Sequence, residues 1–375
     1  MVSSILCYKG TTAIFVGKIN HFSIFLYSTI FIVLPYFIPY LAAFYFEQMK
    51  IGITGANGHV GGNLIRRLLK EKRSIRVLQY HDHKAFDGQD VEVVVGDLNQ
   101  PESLDRFCKD VDVIFHLAAK ISIGQNSFDS LYKINVEGTK NLVASSKKAG
   151  VKRFIHFSSI HAYIHFPLDE PMDESRPLAT DSKIAYERTK SITQEWILKQ
   201  QTDDFDIIVF NPTSIIGPVD YKPSLQGQFI AQVYEGTLPG LIPGGYDWVD
   251  VRDVCEAACN AIYQGKGGEK YILSGHYKSV TDFVQLIGQV TDRKIKLPVF
   301  PLWMAYIGVP FMFMWSKVTG QKPLFTKQAL DILQMGNRHI INDKARKELG
   351  YNPRPLAESL NDTINWLKEN NYISE

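Results

Sequence analysis

Between residues 51 and 72 the chain passes from a short apolar stretch, Ile51-Gly52-Ile53-Thr54, through a turn with glycine at 55, 58 and 61, into a segment of helical periodicity over 63–72. No other feature limits the fold as strongly. Glycine permits the tight turn. The missing side chains let backbone N–H groups approach a pyrophosphate at the start of the helix. An ordinary strand-to-helix turn is the plain alternative. The strand–turn–helix context at the head of an alternating series favours dinucleotide binding.

The alternation continues. Apolar runs at 75–79, 91–95, 111–117, 154–158 and 206–210 predict strands. Segments 101–109, 130–149 and 186–200 predict helices, and another closes the chain over 356–369. Strands separated by helices predict parallel pairing with right-handed crossovers, an α/β doubly wound sheet. Ligands bind such sheets at the carboxyl ends of the strands. Asp97, in Gly96-Asp97-Leu98, stands at one such end. It would accept from an adenine amino group, or cap the helix that follows. The small residues of His116-Leu117-Ala118-Ala119 end another strand and leave room for ribose and phosphate, or simply pack closely. At the end of the second strand Gln79 and Tyr80 precede His81, Asp82, His83 and Lys84. No acid stands where a ribose 2′-OH would be held, which tilts the cofactor from NAD towards NADP; a solvated loop is the alternative.

Tyr186-Glu187-Arg188-Thr189-Lys190 places a phenol and an ammonium four residues apart on a predicted helix, hence on one face. A free phenol titrates near 10, so a nearby cation favours its ionised form. The same lysine would hold ribose hydroxyls. Ser159 ends the preceding strand, 27 residues before Tyr186, where its hydroxyl would polarise a substrate oxygen. Strand-end hydrogen bonding is the competing role, and it suits the neighbouring Ser158. Asn135, in Asn135-Val136-Glu137-Gly138-Thr139, lies in a predicted helix that Asn and Gly both disfavour. A helix interrupted there would let Asn135 hold a relay water, or bind backbone.

Composition excludes several classes. With 45% apolar and 21% charged residues and a formal charge of +2, the 375-residue chain is not disordered. No basic block suggests nucleic acid. Cys7, Cys108, Cys255 and Cys259 form no C-x-x-C and no disulfide framework. Cys255 and Cys259 read as small buried side chains on one helix face, and no metal site is expected.

Residues 1–48 stand apart. Their only charges are Lys9, Lys18 and Glu47 beside twelve aromatics, and 22–46 is an uncharged run of 25 residues, long enough to span a bilayer. Lys9, Lys18 and His21 before the run would keep the N-terminus in the cytoplasm and put the remainder outside, away from a soluble nucleotide. The run also lies only four residues from the first core strand. These points favour a start at Met49, with 1–48 an upstream extension, over a membrane anchor.

In order along the chain, Gly55/Gly58/Gly61, Asp97, His116–Ala119, Asn135–Thr139, Ser159, Tyr186/Lys190 and Asn211-Pro212-Thr213-Ser214-Ile215-Ile216-Gly217-Pro218 resemble the extended short-chain dehydrogenase/reductase, or NAD-dependent epimerase/dehydratase, family over roughly 49–370. The latter stretch and Trp248-Val249-Asp250-Val251-Arg252-Asp253-Val254 resemble its dihydroflavonol 4-reductase and 3β-hydroxysteroid dehydrogenase-like branch. The resemblance implies a Rossmann-type sheet over 49–216 and, from 217 to 375, mainly a smaller C-terminal lid over the substrate. It implies Ser159, Tyr186 and Lys190 as catalytic, supported by Asn135. Around an NAD or NADP cofactor it implies Gly55, Asn57, Gly58, His59, Val60, Gly61, Asp97, Leu98, Leu117, Ala118, Ala119, Lys190 and Pro212. Tyr80 stands where the reductase pattern has Arg. A homodimer through the helices near 130–149 and 186–200 is a further implication.

The expected activity is hydride transfer between nicotinamide and a secondary alcohol or ketone in the cytoplasm. Residues 297–315 are rich in Trp, Met, Phe and Tyr. They read as lid core, as a lid for a lipid-like substrate, or, like 22–46, as a surface for membrane association. Two rivals stand. A nucleotide-sugar epimerase needs cations for a diphosphate, and in Gly336-Asn337-Arg338-His339-Ile340 only Arg338 offers one. Dehydration is disfavoured because Ile160 and His161, not acids, follow Ser159. A non-catalytic NAD(P) sensor of the same fold would ordinarily lack the Tyr/Lys pair.

Overall fold

The computed structural model describes residues 5–8, 11–14, 49–80, 84–121, 127–309 and 327–374. The chain divides into two units, Met1–Met49 and Lys50–Glu375. In the first, β1 (Ile5–Tyr8) pairs antiparallel with β2 (Thr11–Ile14). The apolar run 22–46 lies outside the described residues.

The second unit is built on seven parallel strands: β3 (Lys50–Thr54), β4 (Ser74–Gln79), β5 (Glu92–Val95), β6 (Val113–His116), β7 (Arg153–Phe157), β8 (Asp206–Pro212) and a later strand, Glu269–Leu273. In space the order is Glu269–Leu273, β8, β7, β6, β3, β4, β5. The order reverses between β3 and β6, the point at which such sheets bind ligands beyond their carboxyl ends. Helices α1 (His59–Lys70), α2 (Pro101–Cys108), α3 (Phe128–Tyr132), α4 (Gly138–Ala149) and α5 (Ala185–Leu198) supply the crossovers. Interior strand residues such as Ile51, Ile53, Phe115, Phe154 and Val209 are fully buried, as two covered faces require.

The chain's own residues move several boundaries. Helix α1 begins at His59, four residues before the periodic segment, because the glycine turn itself winds into the first turn. The predicted helix 130–149 is interrupted: Lys133–Glu137 forms a π-helical turn between α3 and α4, and Gly150 ends α4 in the left-handed conformation at φ 75°.

After β9 (Ser214–Ile216) a second sheet forms. The central β10 (Gly245–Asp250) pairs parallel with β9 and antiparallel with a strand His276–Ser279. Its core stacks Trp248 on Phe283 at 3.8 Å between ring centroids. The Trp248–Val254 motif is largely architectural. Asp250 caps helix Val251–Asn260 by accepting from Arg252 N at 2.7 Å, and Arg252 continues to Asp362 of the closing helix Leu356–Glu369. Cys255 and Cys259 are buried thiols on that capped helix.

Among the described residues no helix is long and apolar enough to cross a membrane. Of the apolar segment 297–315 only 297–309 is described, and residues 302–309 are helical. Trp303 and Ile307 are 62% and 58% exposed, and Val299, Phe300 and Met304 are exposed too. These side chains therefore do not form a lid core.

Candidate active site

The glycine turn has the geometry of an anion cradle. Gly55 takes φ 71°, and a Cβ there would meet the backbone N of Ala118 at 2.6 Å, so only glycine lets the turns after β3 and β6 touch. A Cβ on Gly61 would stand 2.3 Å from the Gly55 carbonyl. Gly58 caps α1 with no side-chain hydrogen bond, and the first turn holds no acid. The leading N–H groups of a helix have no acceptor within it, and here no side chain covers them. Thr54 joins the two turns: its carbonyl accepts from Leu117 N at 3.2 Å and its hydroxyl from Ala118 N at 3.3 Å. The uncovered N–H groups at the start of α1 above this floor fit a dinucleotide phosphate.

Neighbouring side chains hold the cradle. Asn57 Oδ1 accepts from Ala85 N at 3.0 Å, and His59 Nε2 lies 3.1 and 3.0 Å from the carbonyls of Gly217 and Pro218. The side chains of Asn57 and His59 are thus engaged with protein, which leaves their backbone for a ligand. Asp97 does not cap α2, whose N-cap is Gln100; its Oδ1 closes a turn by accepting from Asn99 N at 2.8 Å. Leu98 is buried, as is Pro212 at the end of β8. At the end of β4 stand Gln79 and the exposed Tyr80, while 81–83 lie outside the described residues. Lys84 Nζ sits 5.8 Å above the Tyr221 ring.

Ser159, Tyr186 and Lys190 come together. Helix α5 starts at Ala185, so Tyr186 occupies its first turn and Lys190 the next turn on the same face. Lys190 Nζ donates to the Phe157 carbonyl at 2.9 Å and is buried. Burial brings its pKa down to about 8. Ser159 lies beside the Tyr186 hydroxyl and draws its pKa down, yet burial outweighs this and pushes the phenol up to about 12. The cation was expected to pull the phenol down; in this chain the opposing pull comes from Ser159. Strand-end capping also falls to Ser159, whose Oγ accepts from His161 N at 3.2 Å, whereas the buried Ser158 hydroxyl has no partner.

Asn135 lies in the π-turn and binds backbone. Its Oδ1 accepts from Lys120 N at 2.8 Å and its Nδ2 donates to Lys120 O at 3.1 Å. The Asn135 carbonyl accepts from Thr193 of α5 at 3.1 Å, and its amide reaches Thr189 at 3.3 Å, so it braces the helix that carries Tyr186 and Lys190.

Sequence reasoning missed Asn211. Fully buried, it donates from Nδ2 to the Ser159 carbonyl at 2.8 Å and to Gln194 at 2.7 Å. Its place in an otherwise apolar strand was the available signal. Asp247 was missed as well. It accepts from Thr213 at 2.6 Å and Gly275 N at 2.7 Å, and burial raises it to about 6. Asp247, Thr213 and His161 line a cleft of about 30 Å³ that also includes Ile332, Met335 and Asn337. Arg338 is exposed, 5.9 Å over the Tyr277 ring, and does not line it.

A family model, the NAD dependent epimerase/dehydratase family, matches residues 51–274. The chain is similar to sterol demethylase protein B of Methylococcus capsulatus, with 29% identity over 86% of this chain and 99% of that protein. It is also similar to a putative dihydroflavonol 4-reductase of Synechocystis, with 29% identity over 86% of this chain and 95% of that one. Among solved structures, gox2253 superposes with a TM-score of 0.74 at 30% identity, covering 87% of this chain and all of that one.

Proposed function

The chain belongs to the NAD dependent epimerase/dehydratase family, and from that premise we propose that it transfers hydride between a nicotinamide dinucleotide and the carbon of a secondary alcohol or ketone on an apolar, sterol-like substrate. The observation that carries this reading is the placement of the Tyr186 phenol beside Ser159, one helical turn from the buried Lys190. The bound dinucleotide would supply the hydride acceptor or donor. Tyr186 passes the proton to or from the substrate oxygen, and Ser159 aligns that oxygen. Lys190 holds the ribose, and Asn135 braces helix α5. The backbone of Gly58, His59, Val60 and Gly61 holds the pyrophosphate at the start of α1, with Gly55 and Ala118 as floor. Asp97, Leu98, Asn57, Leu117, Ala119 and Pro212 frame the remainder of the nucleotide.

The finer parts of the proposal have their own support. The described end of β4 offers Gln79 and Tyr80 and no carboxylate, which favours NADP over NAD. An apolar substrate fits the name of the Methylococcus relative and the exposed Trp303, Met304 and Ile307. The nucleotide part spans 49–216 and the substrate part 217–375. A soluble nucleotide argues for the cytoplasm, with membrane association through 297–315 or 22–46, and a homodimer would pack through the helices near 130–149 and 186–200. Epimerisation of a sugar nucleotide ranks second, because Arg338, the candidate cation for a diphosphate, lies outside the cleft. NADPH and NADH consumption against a panel of sterol ketones, small ketones and UDP-sugars tests the reading. Turnover of an apolar ketone supports it; reaction with a UDP-sugar alone overturns it.

A further inference from the structure

Beside the Ser159–Tyr186 pair a second group of side chains converges. His161 belongs to the short turn Ile160–Ala162, His165 follows four residues later, and Glu187 adjoins Tyr186 in the first turn of α5. One ligating atom from each lies within 4.8 Å of the other two. His161 Nδ1 is 3.6 Å from Glu187 Oε1, and the two imidazole centroids are 5.1 Å apart. His161 Nδ1, both ring nitrogens of His165 and Glu187 Oε1 are buried without a hydrogen-bond partner. Leaving a buried polar group unpaired is costly. Such groups are normally satisfied, so a concentration of them at one point calls for an occupant.

We propose that His161, His165 and Glu187 form a binding site for a divalent transition metal of the zinc type. Two imidazoles and one carboxylate are a donor set such ions take, with the remaining positions left to water or another oxygen. Zn–N bonds of about 2.0–2.1 Å in tetrahedral geometry bring ligand atoms to about 3.3 Å from one another. The His161–Glu187 pair is already near that separation, and side-chain rotation closes the rest. Ser182 Oγ donates to Glu187 Oε2 at 2.7 Å and leaves Oε1 for the ion, an outer-shell bond of the kind that orients metal ligands. A direct contact of His161 with Glu187 at 3.6 Å would still leave both ring nitrogens of His165 without a partner. His161 and His165 also line the cleft. The ion would tie the turn that Ser159 caps to the turn that carries Tyr186.

The test is metal binding by the full chain after treatment with a chelator. Zn²⁺ is followed by calorimetry and Co²⁺ by its visible d–d absorption. The expected result is one equivalent bound, with the absorption of a low-coordinate nitrogen–oxygen site. A His161→Gln/His165→Gln double variant should lose it. Ser182→Ala keeps all three ligands and should weaken binding about 10–100-fold; it decides the matter if the double variant fails to fold. Absence of binding at millimolar metal, or unchanged affinity in both variants, overturns the proposal. The titration requires no turnover, so its failure leaves the hydride-transfer reading standing.

Discussion

Lys190 Nζ donates to the carbonyl of Phe157 at 2.9 Å, two residues before Ser159 on the same strand end. One buried ammonium thus ties helix α5 to the end of β7, where the Tyr186 phenol lies beside Ser159.

Removing the phenolic oxygen should stop the chemistry and spare nucleotide binding. Tyr186→Phe is expected to lower kcat about 10²–10⁴-fold, the scale of general acid–base catalysis. The dinucleotide Kd, measured by calorimetry, should stay within a factor of two or so. Unchanged turnover would remove Tyr186 from the reaction.

The buried ammonium also predicts a pH signature. Folding lowers the Lys190 pKa from 10.5 to about 8, so between these values the unfolded chain binds the extra proton. The lysine's contribution to stability therefore improves as pH rises through that window, at most about 1.4 kcal/mol per unit. Chemical denaturation of the protein and of Lys190→Met at several pH values isolates the effect. The stability of wild type relative to the variant should climb from pH 8 to 10; a flat difference contradicts the assignment.

Gly61→Ala places a methyl 2.3 Å from the Gly55 carbonyl and 2.7 Å from Ala56 Cα, both backbone atoms that cannot rotate away. Overpacking of this kind costs about 1–3 kcal/mol. We expect a lower Tm and loss of dinucleotide binding together. A variant that binds normally would show that the turn is not the phosphate cradle.

Asn211 holds the Ser159 carbonyl and Gln194 from a fully buried position. Asn211→Leu strands both partners, at about 1–3 kcal/mol each. Denaturation should show that loss, and kcat should fall more than KM rises, because the serine hydroxyl is displaced rather than a substrate contact removed.

The parallel sheet and its glycine turn were legible because period and spacing are local properties. Gly55, Gly58 and Gly61 carry their meaning within seven residues. The Ser159–Tyr186–Lys190 constellation was legible through order along the chain. What escaped depends on where side chains point. Ser158 and Ser159 are chemically identical neighbours, and only the alternation of a strand decides which one faces Tyr186. His161 and His165 were visible as H-x-x-x-H after Ser159, but their meeting with Glu187 requires the irregular chain between β7 and α5. Composition left residues 297–315 open between a lid core, a lid for a lipid-like substrate and a membrane-associating surface, and the exposure of Val299, Phe300, Trp303, Met304 and Ile307 could be read only from the folded chain.

The π-turn Lys133–Glu137 has a consequence for chain length. A π-helical turn is wound with more residues than the α-helical turn it replaces. Within that turn the Asn135 carbonyl accepts from Thr193 of α5. Deleting one residue there would restore regular winding and swing all that precedes it by about 100° around the helix axis. The number of residues in this segment, as much as their identity, keeps the two halves of the site in register.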